Sequence, residues 1–569
     1  MKKTNEKRIL FTSVGRRVEL VQAFKEAARS LSIPLRIYGT DLTTTAPALS
    51  ICDESIQTCR INDPNYIPSL LELCAQNSID LLIPTIDTDL LLLAQNAKNF
   101  ENIGTKVLIS SERVINIAND KRNTYTFFKD ANVNTPETID DYTKYALGFP
   151  CFIKPLDGSG SKDAFSVKNA QELKEHSKRI DNYIVQNLII GDEFTVDILC
   201  DFNGKPIYIT PRKRTQVRAG EVIVTEIVDD PVVVEECVSI LAKLKAIGPI
   251  TIQYIKEEKS GSNYYIEINP RFGGGSPLSM KSGARSAETI LRILNDETIE
   301  PRINQQQGSA GDIYSRFDQS VLANPKIQIG HSYDEIHELL SAYDTVIFDL
   351  DDTIYDEIDY ITSGFEAVAK LVPSVPDAYE QLIGYFRAGK PAIDELLRTA
   401  GITDNGMKES CLNTYRNHTP TLTLKHNVKN LLMNLRQEGK KLGVITDGRP
   451  EGQHAKIKSL NLIEYVDEII ITDELAGSSG NVLDFRKPND IAFSLMRMRL
   501  GSTLDNMVYV GDNPAKDFQP SRSLGFDAVH FINPNGVYYK SKLATDKRRL
   551  LEETITPSEN LSDKEKSEK

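Results

Sequence analysis

The apolar run Val346-Ile347-Phe348 breaks off into Asp349-Leu350-Asp351-Asp352-Thr353. Acids at the immediate end of a short apolar run point to an open α/β sheet. In such a sheet the strand is buried and its C-terminal end faces the crevice where ligands bind. Two further runs repeat the arrangement. Leu442-Gly443-Val444-Ile445 ends in Thr446-Asp447-Gly448, and Met507-Val508-Tyr509-Val510 ends in Gly511-Asp512-Asn513-Pro514-Ala515-Lys516-Asp517. Between them, Arg486-Lys487-Pro488 sets a lysine where the chain turns into its next helix. Carboxylate oxygens suit Mg²⁺, and a carboxylate can attack phosphorus to give an aspartyl-phosphate. An acidic turn after a strand is the plain alternative for any one segment, but it does not explain all four in this order.

The four segments together resemble the haloacid dehalogenase (HAD) superfamily of phosphohydrolases, over about 344–545. The resemblance implies Asp349 as nucleophile and Asp351 as the acid that protonates the leaving oxygen, then the base that activates water. It implies Thr446 on a phosphoryl oxygen and Lys487 neutralising charge there. It gives Mg²⁺ (or Mn²⁺) to the Asp349 carboxylate, the Asp351 carbonyl and Asp512, with Asp517 at the metal site orienting Lys487 or the metal's waters. Residues 354–441 carry helical periodicity, as in Phe365, Val368, Ala369, Leu371 and again Val428, Leu431, Leu432, Leu435. They stand where a helical cap that excludes water and reads the leaving group is expected.

At 569 residues the chain exceeds one core, and three to four domains are expected. A net charge of -13 and a pI near 5.3 argue against a general nucleic-acid binder or an anionic-membrane protein. The seven cysteines show no zinc spacing and read as buried thiols of a reducing compartment. No signal-peptide apolar region or membrane-length run is found, so a cytoplasmic location is expected. The charged stretch 546–569 reads as a disordered tail.

The first half alternates strand and helix over 8–110, which predicts a parallel sheet covered on both faces, a Rossmann-like domain at 1–111. Thr12 to Arg17 reads as an anion-binding turn at a helix start but lacks G-x-G-x-x-G. From 112 to 305 the signals change. Lys121 opens a helix, Lys154 ends a strand, and Gly158-Ser159-Gly160-Ser161 follows as a small-residue loop able to approach phosphate closely. In Tyr264-Tyr265-Ile266-Glu267-Ile268-Asn269, alternation puts Glu267 and Asn269 on one face, with Gln253 offered from a neighbouring strand and Arg271 just beyond. A solvent-facing sheet surface is the bland reading of that strand alone.

Taken together these segments resemble an ATP-grasp domain at 112–305, in the branch related to carbamoyl phosphate synthase large subunits. The resemblance implies ATP as cofactor, Lys121 and Lys154 on its phosphates, the Gly158–Ser161 loop as lid, and Gln186, Asn187 and Leu188 at the adenine hinge. Glu193 would contact ribose, while Gln253, Glu267 and Asn269 hold Mg²⁺. Arg271, with Arg212 and Arg214, would steady a phosphorylated intermediate. The hinge departs from the family pattern, since a glutamate commonly stands at the Asn187 position. One unit and no glutaminase-like segment make a complete carbamoyl phosphate synthase an unexpected reading.

The fold expected is therefore α/β multidomain: Rossmann-like, ATP-grasp (α+β), then a HAD α/β domain with its cap, with 306–343 as linker. The function expected is bifunctional, an ATP-dependent carboxylate–amine ligase acting through an acyl phosphate, fused to a Mg²⁺-dependent phosphatase. The alternatives are a kinase or carbamoyl-phosphate-type first half, or a nucleotide-sensing module that regulates the phosphatase. The partners implied are a small carboxylate, an amine and a phosphate ester; neither nucleic acid nor membrane is expected, and a homo-oligomer is compatible with the composition.

Overall fold

The computed structural model describes residues 6–156, 163–218, 220–303, 310–321, 323, 325–477, 480–514 and 516–537. The chain divides into two compact units, Met1–Ser320 and Val321–Lys569. The Gly158–Ser161 loop and the 546–569 tail lie outside the described residues. Among the described residues no helix is long and apolar enough to cross a membrane. All seven cysteines are free thiols, six of them buried.

Unit 1 opens with a five-stranded parallel sheet in the order Glu54–Gln57, Leu35–Asp41, Lys7–Thr12, Leu81–Pro84, Lys106–Val107. The helix Val18–Ser30 buries Leu20, Val21 and Phe24 against this sheet, as its apolar spacing predicts. Beyond lie two antiparallel sheets. One runs Thr138–Ile139, Tyr183–Asn187, Cys151–Pro155, Phe165–Val167. The other has six strands: Asn263–Asn269, Gly248–Glu257, Gly191–Cys200, Pro206–Arg218, Glu221–Ile227, Ile313–Ser315. The helices Ser276–Lys281 and Ser286–Leu294 bring Ala284, Ile290 and Leu291 into the same core as Phe11 and Phe24. Unit 1 is thereby tied together by apolar burial between its first sheet and its last helices.

Unit 2 is built on a six-stranded parallel sheet ordered Ile327–Gly330, Asp527–Phe531, Met507–Gly511, Thr345–Phe348, Lys441–Thr446, Glu468–Ile471. The three motif-bearing strands are adjacent, with Thr345–Phe348 in the middle. Four helices, Glu357–Ala369, Ala378–Arg387, Ala392–Thr399 and Asn405–Asn417, enclose a core of their own around Phe365, Leu382, Leu396 and Cys411.

Two expectations change. The cap ends before His426–Gln437, because Val428, Leu431, Leu432 and Leu435 pack with Val346 and Leu442 of the sheet. Periodicity identifies a helix but not the surface its stripe meets. The segment 306–343, read as a linker or the edge of the first unit, does hold the boundary between the units, but it carries short strands. Ile313–Ser315 pairs with Glu221–Ile227, and Ile327–Gly330 pairs with Asp527–Phe531, so each unit takes part of it as an edge strand.

Candidate active sites

In unit 2, the backbone N–H of Asp349 donates to the Val510 carbonyl at 2.8 Å, so the carboxylate emerges at the sheet's C-terminal edge. It is buried, with Lys487 Nζ 2.7 Å from Oδ1 and Lys516 Nζ 3.8 Å from Oδ2. Burial pushes the Asp349 carboxyl up, but Lys487 and Lys516 outweigh it and hold the group below the usual carboxylate range. Lys487 sits 2.8 Å from Asp517 Oδ1 and donates to the Tyr509 hydroxyl at 2.8 Å. Burial alone lowers its pKa; Asp349, Asp517 and Asp447 raise it, and the ammonium stays charged.

The donor set for a divalent cation can be tested on Asp349, Asp512 and Asp517, whose carboxylate oxygens lie within 4.8 Å of one another. Asp349 Oδ2 is buried with no hydrogen-bond partner among the described residues. Asp512 is pushed well above its ordinary pKa by burial, then by Asp517 and Asp349. Crowded acids with an orphaned oxygen fit a hard cation, which removes their repulsion. Asp517 fits less well as a ligand: Oδ1 accepts from Lys487 and Tyr509, and Oδ2 from the Asn513 N–H at 2.9 Å. Its geometry is that of the group that holds Lys487. Gly511 allows this closeness, since a Cβ there would lie 2.6 Å from Asp517 Oδ2.

The Asp351 carboxylate accepts from the Tyr355 hydroxyl and from Lys456 Nζ, the latter at 2.7 Å. Lys456 is buried on the helix Pro450–Ser459 and stands 4.4 Å over the ring of Tyr360, a cap residue. The Thr446 hydroxyl is fully buried and donates to Gln453 Oε1 at 3.2 Å. The sequence reading missed Gln453, Lys456 and Lys516. Gln453 and Lys456 are three residues apart on the helix that follows Thr446, so they share a face, and that spacing was the available signal.

In unit 1 a cavity of about 900 Å³ is lined by strands of both antiparallel sheets and by residues that follow the strands Lys7–Thr12 and Leu81–Pro84 of the first sheet. Lys154 and Gln186 come from the four-stranded sheet, Glu193, Gln253, Glu267 and Asn269 from the six-stranded one. Lys121, first residue of Lys121–Asp130 behind its Asp120 cap, reaches the same space, as do Asn187, Leu188 and Arg271. Gln253 lies directly across from Glu267, so their side chains share a face. The expected alternation fails at one point. The ladder slips between Gln253 and Tyr254, leaving Ile266 unpaired, and Ile266 lines the cavity beside Glu267. Gln186 spends its amide N–H₂ on the Thr138 hydroxyl at 2.7 Å, while Asn187 Oδ1 is a buried acceptor with no partner among the described residues.

Lys154 has its pKa pushed down to about 8, by burial first, with Lys121 adding to the fall and Glu267 opposing it. An anionic phosphate favours the protonated ammonium. Affinity for Mg-ADP should therefore be level well below pH 8 and fall as pH rises through about 8. The slope approaches about tenfold per pH unit, and calorimetry on Lys154→Met should show it gone.

Arg212 and Arg214 line the same cavity as Arg271 but are held by different acids. Arg212 is buried against Asp197 at 2.7 Å, whereas Arg214 pairs with Glu193 at 3.3 Å. Two amides of the Thr12–Arg17 turn are spent on the strand Leu35–Asp41: Val14 N–H donates to Thr40 O and Gly15 N–H to Asp41 Oδ2. What reaches the cavity from the first sheet is side chains, Arg17 and Asp87.

Three family models match this chain: a PylC-like N-terminal domain over residues 9–108, an ATP-grasp domain over 118–275 and a haloacid dehalogenase-like hydrolase over 346–531. The chain carries an ATP-grasp domain and a HAD-like hydrolase domain. A carbamoyl-phosphate synthase of Methanobrevibacter smithii is 22% identical over 230 residues, 37% of this chain and 62% of that protein's length. The chain thus spans under two thirds of that relative. A glyceraldehyde 3-phosphate phosphatase of Methanocaldococcus jannaschii is 28% identical over 200 residues, 33% of this chain and 84% of that protein. Among solved structures, the biotin carboxylase domain of Hydrogenobacter thermophilus 2-oxoglutarate carboxylase aligns at TM-score 0.44 and 20% identity, covering 54% of this chain and 73% of that one. In the HAD-like domain the matched span contains Asp349, Thr446, Lys487 and Asp512; in the ATP-grasp domain it contains Lys121, Lys154, Glu267 and Arg271.

Proposed function

We propose that this protein is a bifunctional enzyme, joining an ATP-dependent carboxylate–amine ligase to a phosphatase that acts on a small phosphorylated metabolite. The reading rests on one observation in each unit. Lys121, Lys154, Glu267, Asn269 and Gln253 share a single cavity, and Asp349 is buried against Lys487 beside Asp512 and Asp517.

In the ATP-grasp cavity, Lys121 and Lys154 hold the nucleotide's phosphates and Gln253, Glu267 and Asn269 are the oxygen donors for Mg²⁺. When bound, the cation supplies charge neutralisation at those phosphates. A substrate carboxylate oxygen bonds to the γ-phosphorus as the bond to ADP breaks, and Arg271 offsets the charge of the acyl phosphate. An amine then attacks the acyl carbon, phosphate leaves with its oxygen, and the amine loses a proton to solvent.

In the HAD-like domain an Asp349 oxygen attacks phosphorus in line while Asp351 gives its proton to the leaving alkoxide. Water then attacks phosphorus, its proton passing to Asp351, and the Asp349–phosphate bond breaks to release orthophosphate. Lys487, held by Asp517, faces the charge that develops; a cation, which Asp349 and Asp512 would hold, would supply further charge neutralisation there.

Lys456 bears on this step through its 2.7 Å contact with Asp351. Lys456→Met should slow hydrolysis of alkyl phosphates by about 10²-fold, yet slow that of an activated nitrophenyl phosphate far less, since a good leaving group needs little protonation. Equal losses on both would mean that Lys456 is only structural.

The test of the whole reading uses the full chain with Mg-ATP, mixed carboxylic acids and hydroxylamine. Hydroxamate and ADP formed together support the ligase. ADP formed from a carboxylate in the absence of any amine points to a kinase-type first half. A phosphatase rate that responds to a non-hydrolysable ATP analogue, with no ADP formed, supports the sensor instead.

A further inference from the structure

Asp352 stands between the acid Asp351 and the cap, and its backbone is left-handed, with φ +54°. That conformation costs free energy for any residue but glycine, and it persists where the surroundings hold it. Three hydrogen bonds hold this buried residue. Its Oδ1 accepts from the Glu357 N–H at 2.8 Å and its Oδ2 from the Val537 N–H at 2.7 Å. Its carbonyl accepts from Asn533 Nδ2 at 2.9 Å. Two of the three donors come from 533–537, the segment that follows the strand Asp527–Phe531. Gly536 lets this segment lie close, since a Cβ there would be 3.3 Å from Asp352 Oδ2.

Asn533 is itself fixed. It is buried, and the same Nδ2 donates to Asp356 Oδ1 at 3.1 Å. A carbonyl and a carboxylate accept, whereas the Asn535 N–H, 3.0 Å from Asn533 Oδ1, can only donate, so the amide has one orientation. Asp356 also takes Lys425 Nζ, from the chain that returns from the cap. Asn533 therefore grips both ends of the turn 352–356. That turn sets Asp351, because it carries Tyr355, whose hydroxyl donates to the Asp351 carboxylate. Were Asp352 to relax to negative φ, the chain on either side of it would rotate, and Asp351 and Tyr355 would part.

We propose that Asn533 is a positioning residue of the phosphatase: it holds Asp352 left-handed and so keeps Asp351 where it gives and takes its proton. This rests on the phosphatase reading and adds to it a group outside the four motifs, 181 positions from the residue it holds. Both chemical steps depend on it. Asp351 protonates the leaving alkoxide as Asp349 attacks, then takes a proton from water as the Asp349–phosphate bond breaks. An activated nitrophenyl phosphate needs little protonation in the first step. A displaced Asp351 therefore leaves the second step slow, and phosphorylated Asp349 accumulates.

The experiment follows nitrophenyl phosphate hydrolysis by the full chain in saturating Mg²⁺. Asn533→Ala should lower kcat about 30-fold, the size of effect that releasing a strained backbone residue implies, with a burst of nitrophenol before a slow steady state. Asn533→Asp keeps the shape but has no N–H to give; it should be as slow, and it carries the test should the alanine variant fold poorly. The deciding comparison is with Asp352→Gly, because glycine reaches a left-handed backbone unaided. On that background Asn533→Ala should lower kcat less than about threefold. An equal loss on both backgrounds, a loss without a burst, or an inactive Asp352→Gly enzyme overturns the proposal. No hydrolysis and no phosphorylated Asp349 in the unaltered chain defeats the phosphatase reading itself, and this proposal with it.

Discussion

Asp349→Asn should abolish phosphate-monoester hydrolysis, lowering kcat by on the order of 10⁴-fold or more, while the chain still folds and still forms ADP. The amide keeps the shape of the buried side chain but cannot form the phosphoenzyme. Lys487 keeps one carboxylate, Asp517 at 2.8 Å, so the variant does not strand a lone buried charge. Asp512, pushed up by burial and in part by Asp349, loses a neighbouring negative charge, which favours the fold. The check is twofold: steady-state hydrolysis, and acid-quench mass spectrometry for a phosphorylated Asp349 peptide in the parent only. Substantial hydrolysis by the variant would sink the nucleophile assignment. ADP formation should stay within about twofold, because the two units have separate sheets and cores.

The second large effect is Glu267→Ala, which should reduce Mg-ATP turnover by about 10³-fold and spare aryl-phosphate hydrolysis. Glu267 is the one carboxylate of the Gln253–Glu267–Asn269 oxygen set, so its loss removes the negative charge with which that set would hold a divalent cation. It also removes one of the two acids, with Glu193, that oppose the fall of the Lys154 pKa, leaving less charged lysine for the phosphates at neutral pH. Glu267→Gln separates shape from charge and should be nearly as slow. The measurement is coupled ADP release beside nitrophenyl phosphate hydrolysis on the same preparations. Loss of both activities would mean that the centres are not independent.

Much of this was legible in the chain, for reasons of local physics. A buried parallel strand must be a short apolar run, and its last residue must be polar if it meets the crevice. Asp349, Thr446 and Asp512 could therefore be placed at strand ends from their neighbours alone. Glu267 and Asn269 followed from period-two alternation, although the bulge at Ile266 was invisible because it needs the partner strand to define it. The cap was over-extended because Val428–Leu435 shows a helical stripe whichever core it meets. Edge strands such as Ile313–Ser315 are too short to carry any pattern.

The amino-acid order by itself determined the two α/β units, the polar residues at their strand ends and the absence of a dinucleotide fingerprint. Only tertiary structure decided which groups face one another. It brings Lys456 onto Asp351 across 105 positions, and Arg271 onto Asp87 across 184. Strand and helix arise from neighbours in sequence, which a reader of the chain can see. Counter-charges and contact partners arise from how separate elements pack, and that information is spread over hundreds of residues.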